Sequence, residues 1–139
     1  MKPFLPILII ALFMSSCKSR VNLEAGTFSG KHIKVGTQLP FVNETIEVVL
    51  VKDGRVFMKK PSKAYEEVHK MKRLHAWALM KGVKKSGITK KEVNDPGMIS
   101  YYLQYNTKAN SYKWVWGKKG VGPPDELEET LNELMGYMK

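Results

Sequence analysis

An apolar run from Pro3 to Met14, closed by Ser15, Ser16 and the chain's one cysteine, Cys17, decides how much of the chain is left to fold. A charged start at Lys2, a short greasy core and small residues before a cut site make a secretory leader. The run is too short for a membrane-spanning helix, which needs roughly 20 apolar residues. Removal of residues 1–16 leaves Cys17 to Lys139, enough for one domain, 26–139, with one modest core. With no second cysteine there is no internal disulfide, so packing alone must hold the domain in an oxidising compartment.

Met14-Ser15-Ser16-Cys17 resembles the lipobox of bacterial lipoproteins, in which the leader is cut just before a cysteine that becomes diacylated. An ordinary leader cut nearby would leave a free thiol, and an uncleaved anchor would leave the whole run in place. A lone exported thiol has no disulfide partner, which favours lipidation of Cys17. The acyl chains would then hold the domain at a membrane, each buried methylene contributing ~0.8 kcal/mol. Residues 17–25 are polar and aperiodic after the cysteine and read as the tether.

The formal charge of the chain is +10, and the leader takes away only Lys2. Nucleic acid is one partner for such a balance. An exported lipoprotein rarely meets it, so the expected partners are anionic lipid, an acidic polymer or an acidic protein face, with no nucleic acid. The charge is also segregated. Lys59 to Lys91 is dominated by lysine and arginine against Glu66 and Glu67, whereas Asp125, Glu126, Glu128, Glu129 and Glu133 make the C-terminal stretch acidic. Either two solvated faces attract one another across the domain, or the basic one is a docking surface.

Periodicity gives the elements. Phe28 lies between Gly26 and Gly30, which permit a turn or bulge, and His32 to Val35 fits a short strand. Thr45 to Val51 is rich in β-branched residues, Asp53-Gly54 is a type I′ hairpin signal, and Arg55 to Met58 returns. Pro61-Ser62 opens a predicted helix that runs to Gly82, with Ser62 as cap, Glu66 and Glu67 near its positive end, and Ala64, Val68, Met71, Leu74, His75 and Ala78 as its buried stripe. Val83 to Glu92 is basic and irregular, and Asn94-Asp95-Pro96-Gly97 is a turn. Met98 to Tyr105 and Ser111 to Trp116 form a second hairpin. Tyr101, Leu103 and Tyr105 share one face, as do Tyr112, Trp114 and Trp116, which pack under the helices. Gly117 to Gly122 links to a helix that opens at Pro124 and buries Leu127, Leu131, Leu134, Met135 and Met138. The plan, hairpin–helix twice, predicts an α+β fold: an antiparallel sheet of about four to five strands with two helices on one face.

Chemistry is sparse. His69 and His75 are six apart and His32 is remote, whereas zinc-type helical pairs need four-residue spacing, so no metal site is expected. The glycine-lysine link after Trp116 lacks the phosphate-loop pattern, and Pro123-Pro124 removes two donors where an anion would sit, so it reads as a connector. No serine lies in a nucleophile elbow, and no nucleophile–base pairing is visible. The chain is therefore read as a non-enzyme without a cofactor.

One patch stands out. His69, Arg73 and Trp77 recur at four-residue steps opposite the predicted apolar stripe, with Met80 nearby. Trp and Arg dominate protein-binding hot spots, which makes these three the candidate contact residues. The competing arrangement packs Trp77 under residues 83–92 as a second small core.

Gly-Thr-Phe-Ser-Gly at 26–30, Val-Lys-Asp-Gly-Arg-Val at 51–56, Asn-Asp-Pro-Gly at 94–97 ahead of Tyr101-Tyr102, Trp116-Gly117, and Pro-Pro-Asp-Glu-Leu from 123 resemble small uncharacterised lipoproteins of Bacteroidetes. They are also distantly similar to emfourin, a proteinaceous inhibitor of thermolysin-like metalloproteases. These landmarks are turns and core, and no inhibitory residue is carried over. The resemblance implies a cell-envelope lipoprotein. Lys18-Ser19-Arg20 stands where acidic residues resemble a surface-export signal in that phylum, which implies the periplasmic face of the outer membrane. Together the expectation is a lipid-anchored protein-binding module, with protease inhibition as one form of it. The alternative is a structural envelope lipoprotein whose basic face holds anionic lipid or polymer.

Overall fold

The computed structural model describes residues 28–39, 45–117 and 122–139. The expected leader over residues 1–16, Cys17 and the expected tether over residues 17–25 lie outside the described residues. Strands β1 (His32–Gln38), β2 (Thr45–Val51), β3 (Arg55–Lys59) and β4 (Glu66–Lys70) precede α1 (Arg73–Lys85). Then come β5 (Val93–Asp95), β6 (Ser100–Asn106), β7 (Ser111–Trp116), a 3-10 turn at Asp125–Leu127, and α2 (Glu128–Gly136). The fold is α+β, with one sheet in the order β4-β3-β2-β1-β6-β7-β5. Among the described residues it has seven strands rather than the expected four to five, and β5 runs parallel to β7 while every other neighbour is antiparallel.

β1 and β2 hold the middle because both their faces are apolar or neutralised. Ile33, Val35, Val48 and Leu50 point into one core with Val56, Leu103, Tyr105, Trp114 and Trp116. Ala76, Leu79, Met80 and Val83 of α1, and Leu127, Leu131 and Leu134 on and before α2, close that core. Both helices thus cover one sheet face, and Trp114 and Trp116 lie beneath them as expected. At about 25 cal/mol per Å² of apolar area, this burial is the main stabilising force.

The first predicted helix is corrected. Its first half is turn and strand, and α1 begins only at Arg73. Ser62 is no helix cap. The Lys63 amide donates to the Lys60 carbonyl, Pro61 takes the second position, and Ser62 stands at φ 59°. That is the pattern of a type II turn, in which proline presets one position and the next needs positive φ. The turn sends Glu66–Lys70 back along β3, with a bulge in register at Val56/Phe57. All five β4 residues are exposed. The bulge and the charges of Glu66, Glu67 and Lys70 discourage another strand from adding at this edge. Replacing Ser62 by glycine should relieve the left-handed strain and raise stability by about 0.5 kcal/mol, the glycine's extra unfolded-state entropy offsetting part of the gain. A urea titration that showed Ser62→Gly no more stable would refute this.

Two smaller corrections concern turns. The β2–β3 connection is not type I′. The Gly54 amide donates to the Val51 carbonyl, and Gly54 alone has positive φ (96°), which makes a three-residue loop ending in a left-handed glycine. Asn94 and Asp95, read as turn, belong to β5. The Trp114 indole N–H donates to the Lys91 carbonyl and ties the entry of this short strand to β7.

Candidate functional site

α1 buries Ala76, Leu79, Met80 and Val83, so its opposite side faces water. Leu74 and Trp77 lie there, 75% and 53% exposed, with Ala78 exposed beside them. The Lys81 ammonium sits 4.7 Å from the centroid of the Trp77 ring, one turn on, a cation–π contact. Arg73 lies one turn before Trp77. Lys72, Arg73, Lys84 and Lys85 are all exposed around the apolar pair.

The charges at the two ends of α1 have different standing. Lys84 and Lys85 occupy the last turn, where the helix dipole favours cations. Lys72 and Arg73 occupy the start, where it disfavours them, and the first turn holds no acidic residue and no side-chain cap. The helix thus forgoes these local gains while it exposes Leu74 and Trp77.

The structure separates the three candidate residues. Arg73 and Trp77 share α1. His69 lies on β4, where its ring stacks on Tyr137 at 5.4 Å, so it is not on the helix face. The packing of Trp77 under residues 83–92 is not what the structure has. From that segment Val83 and Ile88 are buried in the main core, and Trp77 is exposed. Leu74, expected in the buried stripe, is more exposed than Trp77. His75, expected in the core, is exposed, and its Nε2 lies 2.7 and 2.8 Å from the two carboxylate oxygens of Glu133. That pair ties α1 to α2. Val68, Ala64 and Ala78 are exposed as well, whereas Met71 is buried as expected. Leu74 and Lys81 are the members that sequence reasoning missed. Restarting the helical phase at Arg73 would have found both.

The other sheet face carries a polar cluster that local spacing does not show. Glu47, Gly36 and Tyr102 are direct neighbours across β2, β1 and β6. A Cβ at position 36 would lie 2.5 Å from the Tyr102 ring, so the glycine lets that ring cross β1. The Tyr102 hydroxyl donates to one oxygen of the Glu47 carboxylate, and the Tyr65 hydroxyl donates to the other. Lys34 Nζ lies 3.7 Å from Glu47. Phe28 roofs the cluster, edge-on to Tyr65 at 5.0 Å and 5.6 Å from Phe57. Burial, and then the bond to Glu47, push the Tyr65 and Tyr102 hydroxyls above the usual tyrosine range. Burial holds the His32 imidazole below its usual range, opposed by its bond to the Gly30 carbonyl. Every oxygen of Glu47 is engaged within the fold, so this cluster holds structure rather than reacting groups.

Among the described residues, no three His, Cys, Asp or Glu side chains come together as a metal site would require, and no helix is long and apolar enough to cross a membrane. No protein-family model matches the chain, and no curated protein is significantly similar to it.

Proposed function

We propose that this chain is a lipid-anchored protein of the bacterial cell envelope, held through Cys17 at the periplasmic face of the outer membrane, and that it works as a non-enzymatic protein-binding module. The observation that carries the reading is the outer face of α1. Leu74 and Trp77 lie in water, ringed by Lys72, Arg73, Lys81, Lys84 and Lys85. A large aromatic side chain beside an arginine, ready to be desolvated together, is the composition of a binding hot spot. The cations select a partner surface that is acidic around an apolar depression. The resemblance to emfourin makes a thermolysin-like metalloprotease the first partner to try, with inhibition as the form the binding takes.

The test pairs the chain with its Arg73→Ala/Trp77→Ala variant. Both are used to capture envelope proteins, and the affinity of each retained partner is then measured. Neither side chain is needed by the core, so the variant should melt as the parent does. Its affinity should fall by about a hundredfold or more, the scale of two hot-spot side chains. Equal retention by both, stripped equally by salt, would overturn the reading in favour of a basic envelope component that holds anionic lipid or polymer.

A further inference from the structure

The two helices lie side by side on one sheet face, joined by His75 and Glu133, and their outer surfaces carry opposite charge. α1 offers Arg73, Lys81, Lys84 and Lys85, with Leu74 and Trp77 between them. The turn before α2 and α2 itself offer Glu126 and Glu129, both exposed, followed three and four residues after Glu129 by Asn132 and Glu133, and a further turn on by Gly136. Glu126, Glu129 and Glu133 follow one another at three- and four-residue steps and so form one ridge, the ridge next to α1, since Glu133 is its contact with His75. Within one copy the two surfaces point the same way, and His75–Glu133 is the ion pair between the helices among the described residues. The remaining charge of each is left to face outward.

We infer that the partner of the α1 face is the α2 ridge of a second copy of this chain. This deepens the reading of α1 as a protein-binding surface and rests on it. Two-fold symmetry makes the contact self-complementary. There are two simple ways to set one helix layer on another. An axis running across the helices puts α1 on α1 and α2 on α2, basic on basic and acidic on acidic. An axis running along the groove between the helices puts α1 of each copy on α2 of the other. Only the second arrangement pairs opposite charges, and it does so twice. It also sets Leu74 and Trp77 of each copy on the low surface near Asn132 and Gly136, where a glycine leaves room for a ring. The charges fix the partner and the register, and the two tryptophans supply the desolvated centre.

The test uses full chains in detergent, labelled with a donor or an acceptor dye and followed by energy transfer. The parent should associate with itself, less so at high salt. Lys81→Glu/Lys84→Glu/Lys85→Glu turns the α1 face net acidic, so both outer surfaces are acidic, and Glu126→Lys/Glu129→Lys turns the α2 ridge net basic, so both are basic. Each variant alone should lose self-association. Mixing the two should restore it, because acidic α1 then meets basic α2 and the reverse, and that rescue also shows that both variants fold. Absence of transfer in the parent, or self-association of either variant at the parent's level, would overturn the inference. The reading of α1 as a binding face fails separately: it falls only if Arg73→Ala/Trp77→Ala retains every partner that the parent captures.

Discussion

Raising the pH above 10 should strip this domain of stability steeply, and Tyr102→Phe should flatten the loss. Tyr102 is 5% exposed, and its hydroxyl donates to the buried Glu47 carboxylate. Burial first, and that bond second, raise its pKa well above the ordinary tyrosine value of 10.0. An unfolded chain therefore sheds this proton at a pH where the folded one keeps it. The stabilisation is fully present below pH 10 and is lost as pH rises towards the folded-state value. The slope is about 1.4 kcal/mol per pH unit for each retained proton. Tyr65 shifts in the same direction, but it is partly exposed and contributes less. Against a typical domain stability of about 5–15 kcal/mol, the Tyr102 proton alone removes about 2–3 kcal/mol over the two pH units above 10, a substantial share of that margin. Urea titrations at several pH values from 8 to 11.5 would measure the slope. At neutral pH Tyr102→Phe leaves one oxygen of Glu47 without its donor, a loss of about 1–3 kcal/mol. Above pH 10 the variant should lose stability more slowly than the parent. Lysine deprotonation acts on both alike, so parallel curves would show that Tyr102 does not carry the effect. On the acid side His32 acts oppositely. Its lowered pKa gives stability above about pH 6.5 that is lost as the pH falls.

What could be seen in the sequence was what neighbours along the chain decide. β2 is a run of β-branched residues, β6 and β7 alternate, and α2 keeps a regular apolar stripe behind Pro124, so each was legible without a partner. β4 was not. Glu66-Glu67-Val68-His69-Lys70 has the composition of a helix, and Pro61 marks a helix start and a turn equally well. The free edge of β3 and the reach of Tyr65 to Glu47 settle the matter, and neither can be read from the spacing of residues 66–70 themselves. That misreading spread into the site. Carrying helical spacing back through residues 64–72 placed His69 beside Arg73 and turned Leu74 and His75 inward. The helix begins at Arg73, and the stripe that matters is Ala76, Leu79, Met80 and Val83. Arg73 and Trp77 survived as a pair because they are four residues apart within the true helix. The Glu47 cluster left no local trace, since Gly36 is informative only once Tyr102 and Glu47 are known to flank it.

Gly54→Ala should destabilise the domain by about 3 kcal/mol, far more than the same change at another left-handed glycine. Two independent reasons meet at this position. Gly54 has φ 96°, a conformation that an L side chain resists. A Cβ there would also lie 2.3 Å from the Met71 carbonyl oxygen. That oxygen is backbone, at the junction between β4 and α1, and cannot swing aside as a side-chain tip would. The Met71 amide donates to the Gly54 carbonyl at 2.9 Å, so the two backbones are held together from the other direction. Relieving the clash means either breaking that bond or shifting Met71, which is buried in the core just before the first turn of α1. Gly87 provides the control. It has φ 87°, yet nothing lies within 4 Å of where its Cβ would be. Gly87→Ala therefore meets the backbone strain alone, about 1 kcal/mol. The difference between the two variants in thermal or urea unfolding isolates the contact with Met71. Equal losses would mean that the β2–β3 turn does not pack on the start of α1, and that the helix takes its position from the core alone.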